Sequence, residues 1–349
     1  MDASGFSPSH QYDPRPLPAS LSLAAAERLI DATGAFARQA AQRLIAAGPE
    51  AGISFEHAYA TIHPETHAVR ELALAVPSPG RSALAFLSRP QAGQERAAER
   101  AACAVALTEH LAGLPGRPID IAQSLPSVNE PWAAQALSAA GWSIIGELAY
   151  MRRGIVPQDL PRTARLLHRR PHLDLPDGVE LDPIAIPDSR SANLDELVEA
   201  LDDSYIDTLD CPALCGMRRT SDIVASHAAI GRPELAIWQI VRHEGRPAGA
   251  VLLACLPEQR CYELVYIGLG PSLRGIGLGE RLLRNAIDQI AARIRRATRP
   301  GKWSLTCAVD IENQPAVELY RRLDFMSFDR RIACVHGLDG ALSTGDHGV

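Results

Sequence analysis

Residues 264–280, Leu-Val-Tyr-Ile-Gly-Leu-Gly-Pro-Ser-Leu-Arg-Gly-Ile-Gly-Leu-Gly-Glu, restrict what this chain can fold into more than any other stretch. An apolar run suited to a strand passes through a tight turn into the glycine-rich entrance of a helix. After Gly279 the apolar residues Leu282, Leu283, Ala286, Ile287, Ile290, Ala291 and Ile294 recur at helical spacing, which predicts one buried face. Backbone amides at such an entrance point outward without intrahelical partners, and the helix dipole adds partial positive charge. The turn is therefore a ready-made anion site, and a phosphate-bearing ligand is expected in it.

Two common phosphate loops do not fit. A P-loop needs Gly-Lys-Ser/Thr, which the chain lacks. A dinucleotide fold needs Gly-x-Gly-x-x-Gly and an acidic residue after the next strand, whereas the spacing here is Gly275-x-Gly277-x-Gly279 and the region around Arg299 offers no such acid. Charge narrows the partners as well. A net charge of -6 argues against nucleic acid or an anionic membrane surface, and the basic tract His168-Arg169-Arg170 lacks interleaved aromatics. No apolar run is long enough to span a bilayer and no signal-like N-terminus is present, so a cytoplasmic protein is expected. The seven cysteines do not read as a disulfide framework, and Cys211 with Cys215 is a poor zinc site, so no metal is expected.

Along the chain, residues 1–18 read as disordered, 19–153 as one α/β domain, 154–177 as an Arg- and Pro-rich linker, 178–338 as a second domain and 339–349 as a tail. The halves share a plan. Asn129-Glu-Pro131 precedes a helix that gives way at Ala140-Gly141-Trp142 to a strand, and Asn313-Gln-Pro315 precedes a helix that does the same at Leu323-Asp324-Phe325. Asn-x-Pro is a common helix start, but agreement of the flanking strands favours an internal duplication.

Arg274-x-x-Gly277-x-Gly279, after a strand ending Leu269-Gly270-Pro271, resembles the acetyl-CoA pyrophosphate loop of the GNAT superfamily of N-acetyltransferases. Asn313-x-x-Ala316-x-x-x-Tyr320 and Phe325 resemble the family's second signature, with Asp324 where the family usually has Gly. The resemblance spans residues 179–336, and the two copies further resemble the tandem-GNAT arrangement of mycothiol synthases. It implies two GNAT-like domains, each a mixed, mostly antiparallel central sheet flanked by helices, and acetyl-CoA as co-substrate. It also implies that Ile267, Gly268 and Leu269 offer main-chain hydrogen bonds to the pantetheine arm and thioester carbonyl. Arg274, Gly275, Ile276, Gly277, Leu278, Gly279 and Glu280 would hold the pyrophosphate. In the first half the corresponding turn, Arg89-Pro-Gln-Ala-Gly93-Gln-Glu95, has one glycine, and Glu95 and Glu99 oppose an anion. That half reads as a degenerate copy.

Glu263 alternates with Val265, Ile267 and Leu269, which predicts one shared strand face. A carboxylate on an apolar face should have a raised pKa, which suits a general base, and Glu263 matches the family's glutamate in position. Gly268 is a candidate bulge. Tyr320 matches the family's general acid toward the CoA thiolate, and otherwise packs in the core. Asn313 bonds the pantetheine, caps its helix, or does both. Asp202, Asp203, Asp207 and Asp210 hint at a cationic acceptor, although solvated helix ends explain the same acids. The expected activity is direct acetyl transfer to a primary amine of a small molecule. A protein or peptide acceptor and a non-catalytic acyl-CoA sensor remain as alternatives. Nothing in the sequence requires an assembly larger than a monomer.

Overall fold

A computed structural model describes residues 12–30, 34–49, 52–93, 96–155, 175–187, 191–296 and 301–338. Residues 1–11 of the expected disordered N-terminus, most of the linker and the tail lie outside these residues, whereas residues 12–18 are described and, instead of disorder, carry a short strand in which Arg15 and Pro16 pair with Ala60 and Tyr59. In chain order the strands are β1 (Arg15–Pro16), β2 (Ala58–Ile62), β3 (Val69–Ser78), β4 (Ser82–Leu87), β5 (Ile121–Ser124), β6 (Ser143–Ile155), β7 (Val179–Ile184), β8 (Ile237–His243), β9 (Arg246–Leu256), β10 (Cys261–Leu269), β11 (Trp303–Asp310) and β12 (Met326–Gly337). The helices are α1 (Ser22–Leu29), α2 (Gly34–Ala47), α3 (Ala97–Ala112), α4 (Pro131–Ala139), α5 (Ala192–Tyr205), α6 (Thr220–Ala228), α7 (Leu278–Arg296) and α8 (Gln314–Arg322). The chain forms two compact units, residues 146–330 and residues 1–145 with 331–349.

Within the unit of residues 146–330, β7, β8, β9 and β10 form an antiparallel meander, and β11 returns parallel to β10 after α7. The strand beyond β11 is β6, antiparallel from Trp303↔Ile155 to Asp310↔Leu148. Helix α7 forms where the apolar stripe predicts it. Leu278, Leu282, Leu283, Ala286, Ile287, Ile290 and Ala291 are each at most 3% exposed. All but Ala291 pack with Leu264, Leu305, Val309 and Tyr320 on one face of the sheet. Burying each such leucine is worth about 1.5–3 kcal/mol, enough to fix which face α7 covers. On the other face α5 and α6 pack Leu197, Leu201 and Val224 against Trp238, Ile240 and Leu252.

The second unit repeats the plan. β1 to β4 are antiparallel, β5 runs parallel to β4, and the 334–337 stretch of β12 closes the sheet antiparallel to β5. Its last strand thus comes from the end of the chain, while β6, next in sequence after α4, completes the other sheet. The helices that follow the two Asn-x-Pro sequences form as expected, with different caps. Asn313 Oδ1 accepts the Ala316 N–H at 3.3 Å, whereas the Asn129 copy begins at Glu130 with no side-chain cap. A buried charge network crosses this unit. Glu71 is fully buried, meets Arg28 at 3.2 Å and Arg100 at 2.9 Å, and accepts the Ser88 hydroxyl at 2.5 Å. Each oxygen of the carboxylate thus has a cation beside it, as burial of charge requires.

Candidate active site

The site begins where two parallel strands part. β10 pairs with β11 only from Cys261↔Ser304 to Glu263↔Thr306. From there β10 continues along β9 to Leu269, and β11 continues along β6 to Asp310. A cleft of ≈ 620 Å³ opens on the diverging strands, lined by Leu264 to Leu269 on one wall and Ala308 and Val309 on the other. Polar backbone groups on the facing edges are not consumed by a β10–β11 ladder, so they are available to an extended ligand.

The parting carries a bulge, but not at Gly268. The β9 register skips between Leu264 and Tyr266, which places the extra residue at Val265. A bulge reverses the side-chain phase of the rest of the strand. The expectation that Glu263, Val265, Ile267 and Leu269 share a face therefore does not hold. Ile267 and Leu269 pack toward α7, whereas Val265 and Tyr266 pack toward α5 and α6. Gly268 has a different reason to be glycine: a Cβ there would collide with the Tyr266 hydroxyl and ring. That hydroxyl shares a 2.5 Å hydrogen bond with Ser204, and burial raises its pKa to about 12. Tyr205 and His227 flank the same ring at 5.9 and 6.1 Å, and burial lowers the His227 pKa to about 4, so its imidazole is neutral at pH 7.

At the mouth of the cleft, Gly275 and Gly277 adopt left-handed φ values of +77° and +75°, with open space where a Cβ would stand. The backbone requires glycine here, and the open space exposes the amides that precede α7. At Gly279, already helical, a Cβ would lie an ordinary 3.5 Å from the Leu319 side chain. Ile276 is 49% exposed and is not among the lining residues, whereas Arg274, Gly275, Leu278, Gly279 and Glu280 are. Glu280 is an acid at a helix start where an anion is expected. Its charge is taken up by Arg284 at 2.8 Å and Arg322 at 3.5 Å, and the hydrogen bond from Arg284 holds its pKa low.

Tyr320 projects from α8 into the cleft wall, 5% exposed, with its ring 5.4 Å from Phe325. Burial raises its pKa well above the usual phenol value, and the nearby Cys307 and Asp210 push the same way, so its hydroxyl is protonated. Asn313 also lines the cleft, and its cap to Ala316 realises one of its two readings. Glu263 sits at the last position of β10 that pairs with β11, half-buried, with its pKa raised by burial. It is not among the cleft-lining residues. Asp210 is. Its Oδ1 accepts the backbone N–H of Asp310 at 3.0 Å, and the buried Asp310 carboxylate accepts those of Cys211 and Glu312. The Asp210 side chain faces the open cleft, yet the surrounding walls withhold enough solvent to raise its pKa, against the hydrogen bond from the Asp310 N–H, which lowers it. Sequence reasoning placed Asp210 in a loose acidic group but had no signal for Asp310, Ser204 or Tyr266, whose roles depend on contacts far apart in the chain.

The corresponding turn of the other unit is built differently. Gly93 has a left-handed φ of +71°, but the next helix begins behind Arg96, and Glu99 in its first turn is 4% exposed. Arg70 at 2.8 Å and Arg96 at 4.0 Å hold that carboxylate, so the chain's own acid occupies the helix entrance. Gln94 and Glu95 lie outside the described residues.

A family model described as "Acetyltransferase (GNAT) family" matches residues 196–325. Among solved structures, a GCN5-related N-acetyltransferase from Sphaerobacter thermophilus aligns with a TM-score of 0.53 at 14% identity, covering 93% of this chain and 95% of that one. A tandem GNAT protein from the clavulanic acid biosynthesis pathway aligns at 0.46 and 16% identity, covering 80% and 82%. A GCN5-related N-acetyltransferase from Kribbella flavida aligns at 0.40 and 17%, covering 80% and 86%. At these identities the structural likeness speaks to fold alone. No curated protein matches the chain. Among the described residues no helix is long and apolar enough to cross a membrane. Residues 196–325 thus match the GNAT acetyltransferase family.

Proposed function

We propose that the cleft of residues 264–320 transfers an acetyl group directly from acetyl-CoA to the primary amine of a small molecule. The observation that carries this reading is the parting of β10 from β11 at Glu263↔Thr306, with a left-handed glycine turn at its mouth and Tyr320 in its wall. Acetyl-CoA supplies the thioester. Backbone amides of the glycine turn suit its pyrophosphate, and the free edge of β10 around Ile267 to Leu269 suits the pantetheine and the thioester carbonyl. The amine nitrogen forms the new C–N bond as the C–S bond breaks. Glu263, which is not among the cleft-lining residues, receives the amine proton through water, and Tyr320 gives a proton to the departing sulfur.

Asp210, open to the cleft and with no cation partner among the described residues, suits an ammonium-bearing acceptor. The resemblance to mycothiol synthases points the same way, toward an amino sugar or thiol conjugate. The other unit serves as a degenerate, non-catalytic copy, consistent with Glu99 standing at its helix entrance. Seven free cysteines suit the reducing cytoplasm.

Turnover of acetyl-CoA over a panel of spermidine, glucosamine and a lysine-containing peptide tests the reading in wild type, Glu263→Gln and Tyr320→Phe. Turnover of a small amine, lost in both variants, is expected. Preference for the peptide would replace the small-molecule acceptor, binding without turnover would indicate a sensor, and absence of CoA binding would refute the site.

A further inference from the structure

The side chain of Arg274 is spent on protein carbonyls. Its Nε donates to the Leu269 carbonyl at 2.9 Å, one terminal nitrogen to that of Ser204 at 3.0 Å, and the other to that of Asp207 at 3.2 Å. Leu269 ends β10, Ser204 lies in the last turn of α5, and Asp207 takes a left-handed φ of +51° as the chain leaves that helix. The last carbonyls of a helix have no intrahelical donors and carry partial negative charge, so a guanidinium there is favourable both as donor and as cation. A second tie binds the same segment to β10, the 2.5 Å bond between the Ser204 and Tyr266 hydroxyls. Asp207, Thr208, Leu209 and Asp210, directly after these ties, form the cleft wall that faces Tyr266 and Tyr320.

We propose that Arg274 is a positioning residue for the acceptor: it sets the 204–210 segment against the end of β10, and so places Asp210 in the cleft. This rests on the acetyltransferase reading above. The residue belongs by sequence to the pyrophosphate loop, but its charged side chain acts on the amine side. The fork shape is what the site uses, since three nitrogens reach three carbonyls in different directions. Lysine, a point charge on a flexible stem, keeps the cation and loses the fork.

Arg274→Lys separates the two roles. With acetyl-CoA and the best amine of the panel, it is expected to raise the amine KM by about tenfold or more, while the acetyl-CoA Kd by titration calorimetry stays within about threefold of wild type. Tyr266→Phe removes the second tie and leaves Arg274 in place, so it should raise the amine KM in the same direction by a smaller factor. An Arg274→Lys variant that loses acetyl-CoA affinity and keeps the amine KM would overturn the proposal, because the side chain would then serve the phosphate. If Arg274→Lys does not fold, an unchanged amine KM in Tyr266→Phe overturns it instead. Wild type that binds no acetyl-CoA refutes the underlying reading, an outcome distinct from either.

Discussion

Replacing Gly277 by alanine isolates one cause of cofactor binding. Its φ is +75°, and no atom lies within 4 Å of the position a Cβ would take. The substitution therefore introduces no clash, only the cost of holding an L-residue in the left-handed region, about 1–2 kcal/mol. In the free protein the turn can relax to a conformation that alanine accepts, but binding a pyrophosphate requires the original one. The strain then appears in the binding constant, and 1–2 kcal/mol corresponds to roughly a five- to thirtyfold weaker acetyl-CoA Kd. Gly93→Ala is the matched control, because its φ is +71° and its Cβ position is equally open. It should cost similar backbone strain, read as a lower urea midpoint, with no change in acetyl-CoA Kd. Titration calorimetry on both variants decides the matter. An unchanged Kd in Gly277→Ala, or an equal loss in Gly93→Ala, would refute the reasoning that the turn's conformation holds the anion.

Tyr320→Phe should lower kcat by about 10²- to 10⁴-fold, the usual worth of a general acid, with acetyl-CoA affinity by calorimetry near wild type. Because burial raises the Glu263 pKa, the folded protein holds that proton to higher pH than the unfolded chain does. Stability should therefore fall as pH rises from the ordinary carboxylate value to the raised one, and Glu263→Gln should remove that slope in pH-dependent urea melts. Activity needs the carboxylate form, so the acid limb of the wild-type pH–rate profile should follow the raised value. Arg100→Met takes one of two cations from the fully buried Glu71 and should cost up to about 3–5 kcal/mol in urea denaturation, the range for breaking a buried ion pair, with Arg28 left to hold the charge.

How much of this was legible in the sequence depends on the range of the cause. The α7 stripe, the glycine turn and the Asn313 cap follow from neighbours within a few residues, and all appear where spacing puts them. The bulge at Val265 does not, because a bulge is a mismatch of β10 with β9 and has no local marker. The error at Gly268 has the same origin: glycine in a strand suggests a bulge, but here it clears the way for the Tyr266 ring folded back over it. The three carbonyls met by Arg274 and the pairing of the Asp210 loop with Asp310 are equally non-local. A motif names Arg274 without indicating where its guanidinium goes.

The exchange of closing strands between the two sheets has a consequence for biosynthesis. Arg331 reaches the Leu125 carbonyl across 206 residues of sequence, and the β5–β12 ladder lies beside that bond. A chain growing at 5–20 residues per second exposes β5 for about 10–40 s before its partner strand has been made. Through that interval the nascent protein carries an unpaired strand edge, the usual template for wrong pairing. The step that protects it comes only once β12 has been made, so termination before it would leave the unit that holds β1 to β5 without its closing strand.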